Sequence, residues 1–257
     1  MDAKIKPIVL MAVKKAGIEL EKRYYKFNRA NSILKSHHEI LTQADLKAEK
    51  IIITELKKHF PQYKIIAEES GITKNNSNYT WIIDPLDGTT NFSMHNPLWS
   101  TSVALAYKNE VIFGIIHAPM LKETYIAQKG KGAFLNGKKI KVSNINKGKI
   151  LNAFCHGSKD KDIKKAVKYY QKQKFNHFDC RQIGSATIEL AYVACGRLES
   201  IIIPGANPWD VGAGTLMVQE AGGKVTDAKN KKWNLKSADM IASNKKIHSD
   251  ILKTFNS

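Results

Sequence analysis

The chain has 257 residues, 43% of them hydrophobic and 25% charged. These proportions are those of a soluble globular protein and exclude collagenous, disordered and membrane-embedded classes. The outlier is charge, because 41 Lys and Arg against 23 Asp and Glu give a formal net charge of +18. From the N-terminus, Ile5, Ile8, Val9, Ala12, Val13, Ala16 and Leu20 recur at helical spacing and predict an amphipathic helix within the first thirty residues. A second helix is expected from Thr42, where Thr42-Gln-Ala-Asp45 resembles a capping box, through Ile52, Ile53 and Leu56 to Pro61. Tyr63–Ala67 and Tyr79–Ile83 read as strands around a polar, turn-forming stretch from Gly71 to Asn78.

A β-rich region follows. Trp99–Tyr107 and Val111–Ala118 flank Lys108-Asn109-Glu110, read as a three-residue hairpin connection, and Thr124–Gln128 adds a strand before turns at Gly130–Gly132 and Asn136-Gly137. Beyond about residue 150 the pattern becomes mixed. A strand at Ile150–Cys155 precedes a basic helix from Asp160 to Gln173 and an apolar helix over Ile183–Gly196. Then come a strand at Leu198–Ile203, a helix at Pro208–Ala221 with proline in its first turn, short strands at Lys224–Thr226 and Met240–Ala242, and a final helix over Lys245–Phe255. No repeat or low-complexity linker divides the chain. The order predicts an α+β or layered α/β architecture, with residues 1–257 forming one domain of two pseudo-halves, about 1–150 and 151–257.

The surplus of cations raises nucleic acid as a partner class. However, only four of the basic residues are arginine, the side chain suited to bidentate phosphate contacts, and the lysines are spread along the chain. A solvated, lysine-rich surface is the simpler reading, and a basic field that draws in small anions is a third. Cys155, Cys180 and Cys195 are odd in number and widely spaced, against both a disulfide framework and a zinc site. The apolar run Ile8–Val13 is too short for a convincing signal peptide, and no run of eighteen apolar residues occurs. The expectation is a reduced, cytoplasmic protein with no membrane partner.

The chemistry is carried by acids. In Trp81-Ile-Ile-Asp84-Pro85-Leu86-Asp87-Gly88-Thr89-Thr90-Asn91-Phe92, an apolar strand runs into Asp84, Pro85 is expected to stop its ladder, and Asp87 follows three residues later. Carboxylates this close repel unless a cation separates them, and oxygen clusters of this kind suit Mg²⁺. The same residues also favour an ordinary turn. Two further features weigh against the turn alone. Ile65-Ile66-Ala67-Glu68-Glu69 delivers acids to the end of another apolar strand, and Asn207-Pro208-Trp209-Asp210 places an acid at a helix start, where it also offsets the helix dipole. Asp45 has an equally ordinary capping explanation.

Taken together, this pattern resembles the inositol monophosphatase family of metal-dependent, lithium-sensitive phosphatases. The resemblance rests on Asp84-Pro-Leu-Asp87-Gly-Thr-Thr-Asn-Phe92, the preceding Glu68-Glu69 and the downstream Trp209-Asp210, with Gly130-Lys-Gly-Ala-Phe134, Arg181-x-x-Gly184-Ser-Ala186 and Glu220-Ala-Gly-Gly223. It runs from about Ser32 to the C-terminus. The resemblance implies an αβαβα sandwich, usually a homodimer, hydrolysing a phosphomonoester with two or three Mg²⁺ ions and no covalent intermediate. By resemblance, Glu68, Asp84, Asp87, Asp210 and the Leu86 carbonyl are metal ligands, and Asp45 supports a further, weaker metal. Thr89 orients the attacking water and the Gly88–Thr89 amides hold phosphate oxygens. Gly184, Ser185 and Ala186, with Asp87 and Asp210, lie on the substrate side, and Lys35 sits in a segment that approaches the phosphate. No cysteine is needed, nor any histidine; His37, His38 and His95 read as loop residues.

One position departs from the family pattern. Members that bind inositol carry an acid seven residues before the Trp-Asp aspartate, and here that position is Ile203. The departure opens substrate choice among an inositol monophosphate, a sugar bisphosphate, 3′-phosphoadenosine 5′-phosphate and histidinol phosphate. It leaves the metal ligands intact. An RNA or transcription-complex role is the secondary alternative.

Overall fold

A computed structural model describes the backbone of residues 3–31, 33–36 and 39–257, and the side chains of these residues except 31–41. The chain forms α1 (Ile5–Tyr24), a hairpin of β1 (Ile33–Ser36) and β2 (Glu39–Leu41), and α2 (Gln43–His59). After β3 (Lys64–Ala67), β4 (Gly71–Ile72) and β5 (Tyr79–Asp87) comes the short α3 (Thr89–Ser93). A meander of β6 (Ser100–Tyr107), β7 (Glu110–Ala118), β8 (Glu123–Gln128), β9 (Gly132–Leu135) and β10 (Lys138–Lys139) follows. The remainder is β11 (Leu151–Phe154), α4 (Asp160–Phe175), β12 (Asp179–Arg181), α5 (Ala186–Ala194), β13 (Ser200–Pro204), α6 (Pro208–Glu220), β14 (Lys224–Thr226), β15 (Asp239–Ser243) and α7 (His248–Asn256).

Two mixed sheets result. The larger has the order β10-β9-β8-β7-β6-β5-β3-β4 and the smaller β12-β11-β13-β15-β14. Helices α1 and α2 cover one face of the larger sheet, α5 and α6 lie between the sheets, and α4 and α7 cover the far face of the smaller one. The expected αβαβα layering is therefore present. Its cause is legible in β5, where alternate side chains point to opposite faces. Trp81 and Ile83 pack with Val9, Val13, Ile52 and Leu56 on one side, while Ile82 packs with Leu216 and Met217 on the other. β13 repeats this, with Ile201 and Ile203 facing α5 and α6 and Ile202 facing α4 and α7. Strands covered on both faces read as continuous apolar runs.

Several boundaries differ from the sequence reading. The hairpin connection has two residues, Lys108 and Asn109, both at positive φ (48° and 68°), as a mirror-type turn requires. Pro85 does not stop β5. Pairing to β6 continues to Asp87 opposite Ser100, and the register slips between Asp84 and Asp87. The helix expected from Ile183 begins only at Ala186, and the last helix begins at His248, not Lys245. The polar stretch after Gly71 opens on the two-residue β4, which completes the edge of the larger sheet.

Candidate active site

The site begins with two neighbouring parallel strands. β3 and β5 pair in register from Lys64 opposite Thr80 to Ala67 opposite Ile83, and the Glu68 N–H donates to the Ile83 carbonyl at 3.1 Å. Glu68 and Asp84 consequently leave adjacent strands at the same end. Asp84 is buried, and one of its oxygens accepts the Leu86 N–H at 3.1 Å. Burial, then the charges of Glu68, Asp87 and Asp210, hold its carboxyl well above the usual carboxylate range. The register slip after Asp84 turns Asp87 toward the second half of the chain.

There Asp87 meets the start of α5. Its Oδ2 accepts the Ser185 hydroxyl, the Thr187 N–H at 3.0 Å and the Thr187 hydroxyl at 2.5 Å, and its Oδ1 accepts the Ala186 N–H at 3.2 Å. Burial pushes the Asp87 carboxyl up, and these hydrogen bonds oppose the shift. The late start of α5 makes this docking possible. Gly184 sits at φ +85°, where a side chain is strained, and a Cβ there would lie 3.2 Å from Asn91. Ser185 then caps the helix by accepting from Ile188. Asn91 crosses the same junction, donating to Leu98 O at 2.8 Å and Ile183 O at 2.9 Å.

Asp45 takes both of its readings at once. Its Oδ2 accepts the Thr42 N–H and hydroxyl at 2.8 and 2.6 Å, which closes the capping box, and its Oδ1 lies 3.0 Å from the Thr89 hydroxyl. That hydroxyl is also 2.9 Å from Leu86 O. Burial raises the Asp45 carboxyl, against the hydrogen bonds from Thr42 and Thr89. Asp210 closes a second capping box at α6, where its Oδ2 accepts the Asn207 N–H at 2.9 Å and the Asn207 side-chain amide at 3.2 Å.

A cleft of about 280 Å³ is lined by the acids Glu68, Asp87 and Asp210 together with Ala186. Its lining also includes Cys155, His156, Gly157 and Ser158 after β11, with Ile203, Asn207 and Trp209. Asp45, Asp84, Leu86, Gly88, Thr89, Gly184 and Ser185 stand outside this lining, and Ser185 is joined to it by its hydrogen bond to Asp87. The Lys35 side chain, His37 and His38 lie outside the described residues. His95, at the end of α3, has its ring Nε2 3.1 Å from Phe27 O. The sequence reading missed Glu49, a buried acid on α2 that accepts the Glu69 and Ser70 N–H groups at 2.9 Å each and so fixes the turn carrying Glu68. Its signal was available, because Glu49 is four residues after Asp45 on one helical face. Cys155 and His156 in the cleft carried no motif. The Cys155 thiol is pushed well up by burial and by the nearby charges of Glu189 and Asp87.

The donor set fits a hard cation. Burial and the charges of Glu68, Asp87 and Asp210 raise the Asp84 carboxyl, and oxygen-rich acid sets of this kind suit Mg²⁺. Among the described residues no three His, Cys, Asp or Glu side chains form a ready cation cage. The hydrogen bonds explain this in part, since Asp87 is held by Ser185, Ala186 and Thr187, and Asp210 by Asn207.

Five alternating layers with an oxygen-rich acid cluster at the junction of two mixed sheets define a class, the inositol monophosphatase-like phosphatase fold. The chain belongs to the inositol monophosphatase family, whose model matches residues 4–257. It is 39% identical over 221 residues to a fructose-1,6-bisphosphatase/inositol-1-monophosphatase of Thermotoga maritima, covering 85% of this chain and 83% of that one. It is 35% identical over 246 residues to the Nus factor SuhB of Escherichia coli K12, covering 93% and 91%. The solved inositol monophosphatase of Anabaena sp. PCC 7120 superposes with a TM-score of 0.84 at 31% identity, covering 97% of this chain and 94% of the other.

Proposed function

We propose that the protein is a Mg²⁺-dependent phosphomonoesterase that hydrolyses a small phosphorylated metabolite by direct attack of water. The observation that carries this reading is the convergence of Glu68, Asp84, Asp87 and Asp210, with Asp84 buried and its carboxyl driven up by burial and by the other three. Glu68, Asp84, Asp87, Asp210 and the Leu86 carbonyl would hold the metal. When bound it supplies the positive charge that a phosphate dianion and its attacking water both require. The Thr89 hydroxyl, with its proton directed to Asp45 or Leu86 O, presents its oxygen lone pairs to accept a hydrogen bond from the water and orient it. The Gly88 and Thr89 amides are assigned to the phosphate oxygens. The organic part of the substrate then faces Ala186, Ser158, Asn207 and the buried Ile203.

The relative from T. maritima is named for two substrates, which supports a panel over a single candidate. Phosphate release from myo-inositol 1-phosphate, fructose 1,6-bisphosphate, 3′-phosphoadenosine 5′-phosphate and histidinol phosphate should appear with Mg²⁺ and vanish on chelation for at least one of them. A flat response across the panel would sink the reading. A second reading, association with RNA or a transcription complex, is favoured by the name of the E. coli relative and by the +18 charge. RNA binding of that kind should weaken steeply between about 50 and 200 mM salt. Absence of binding at low salt would remove it.

A further inference from the structure

In the smaller sheet β12, β11 and β13 are parallel neighbours, although the chain visits them in the order β11, β12, β13. The chain leaves β11 through α4 toward β12 and leaves β13 through α6 toward β14, in opposite directions, and a crevice opens beyond the C-terminal ends of β11 and β13. Crevices of this kind are where open α/β sheets bind ligands. The cleft occupies its inner part. Next to it lies a second chamber of about 230 Å³, and Ser158 and Asn207 border both. Lys159 and Lys161 line the chamber from the start of α4, and Lys165 is paired with Asp239 across it at 3.2 Å.

The unexplained group in this chamber is Asp162. It is 4% exposed, on the first turn of α4, and no side-chain hydrogen bond or ion pair to its carboxylate is found among the described residues. Its neighbour Gly205 sits at φ +73°, and a Cβ there would overlap the Asp162 carboxylate, so the loop after β13 is shaped around this acid. Gly205 also donates its N–H to Asp239 at 3.3 Å, which leaves that amide unavailable to Asp162. The carboxylate is thus packed against the loop and still lines the chamber, where a ligand hydroxyl can donate to it.

We infer that Asp162 is a specificity-determining residue, accepting a hydroxyl of an extended, polyhydroxylated phosphomonoester whose phosphate occupies the acid cleft and whose far end enters the second chamber. This rests on the phosphatase reading. It also explains how a polyol is read when Ile203, buried and apolar, offers nothing to hydrogen-bond. Sites that hydrogen-bond a hydroxyl reject analogues lacking it far more strongly than apolar walls do.

The test compares two esters of equal length, sorbitol 6-phosphate and hexyl phosphate, on the wild type, Asp162→Ala and the conservative Asp162→Asn. For sorbitol 6-phosphate, kcat/KM should fall by roughly 10-fold or more in Asp162→Ala, mainly through KM, and less in Asp162→Asn, whose amide oxygen still accepts. Hexyl phosphate should be hydrolysed equally by all three. Equal losses on both esters, or no loss on either, would overturn the inference while leaving the phosphatase reading intact. If the wild type hydrolyses neither ester, the substrate panel decides the phosphatase reading, and amide chemical shifts decide the inference. Sorbitol 6-phosphate should then still move the Asp162 and Gly205 amides where hexyl phosphate does not, and unmoved amides would end it.

Discussion

Asp45 holds a helix start with one carboxylate oxygen and the Thr89 hydroxyl with the other. The two roles separate under substitution. Thr89→Val keeps the shape of the side chain and removes only the hydroxyl, so kcat should fall by about 100-fold or more with KM nearly unchanged. Asp45→Ala loses the same contact and the capping box together, so its loss of activity should come with about 1 kcal/mol of lost stability in denaturant unfolding. A Thr89→Val enzyme with wild-type kcat would show that the hydroxyl only buttresses Leu86. Asp87 and Asp84 differ in kind. Asp87 is held by the hydroxyls and amides of Ser185, Ala186 and Thr187, while Asp84 is pressed by other acids. This difference in surroundings was invisible in the sequence, where the two stand three residues apart in one motif.

At the scale of elements, what the sequence conveyed followed from where the determinants lie. Helices α1 and α2 and the pair β6–β7 carry their signals locally, in apolar period and capping residues, and were legible. The two-residue β10 and the three-residue β12 exist because β9 and β11 are there to pair with them, and no local pattern announces such a strand. The start of α5 belongs to the same category. Residues 183–185 are apolar or small enough to continue a helix backwards, and the chain instead turns at Gly184 because Asn91 and the buried Glu189 take the Ile183 backbone groups. Pro85 was expected to end β5 for lack of an N–H, yet its carbonyl accepts the Thr101 hydroxyl at 3.0 Å and the strand resumes two residues later. The acids of the candidate site were readable because they sit at strand ends and helix starts. Glu49 shares a helical face with Asp45, and only the structure shows that it holds a turn twenty residues away in sequence.

For the whole molecule, the +18 charge is carried on the outside and the chemistry is assigned to the minority sign within. Outer acids are taken up in ion pairs, as when Glu110 meets both Lys129 and Lys232 and Glu123 meets Arg197. Asp84, in contrast, is buried and Asp87 half-buried, with carboxyls raised above their ordinary values. A raised carboxyl in the folded state contributes stability that is full below its unfolded value and is lost as pH rises through the folded one. Metal-free protein should therefore lose stability as pH rises above the ordinary carboxylate range, and a bound divalent cation should restore it. Saturation about 100-fold above Kd is worth about 2.7 kcal/mol, or several degrees in Tm for a chain of this size. The most direct measurement is thermal unfolding with and without Mg²⁺ from pH 5 to pH 8, on the wild type and on Asp84→Asn. The predicted result is a Mg²⁺-induced rise in Tm that grows with pH in the wild type and is strongly reduced in Asp84→Asn. A wild-type Tm indifferent to Mg²⁺ at every pH, or a rise of the same size in Asp84→Asn, would contradict the assignment of this acid cluster as a metal centre.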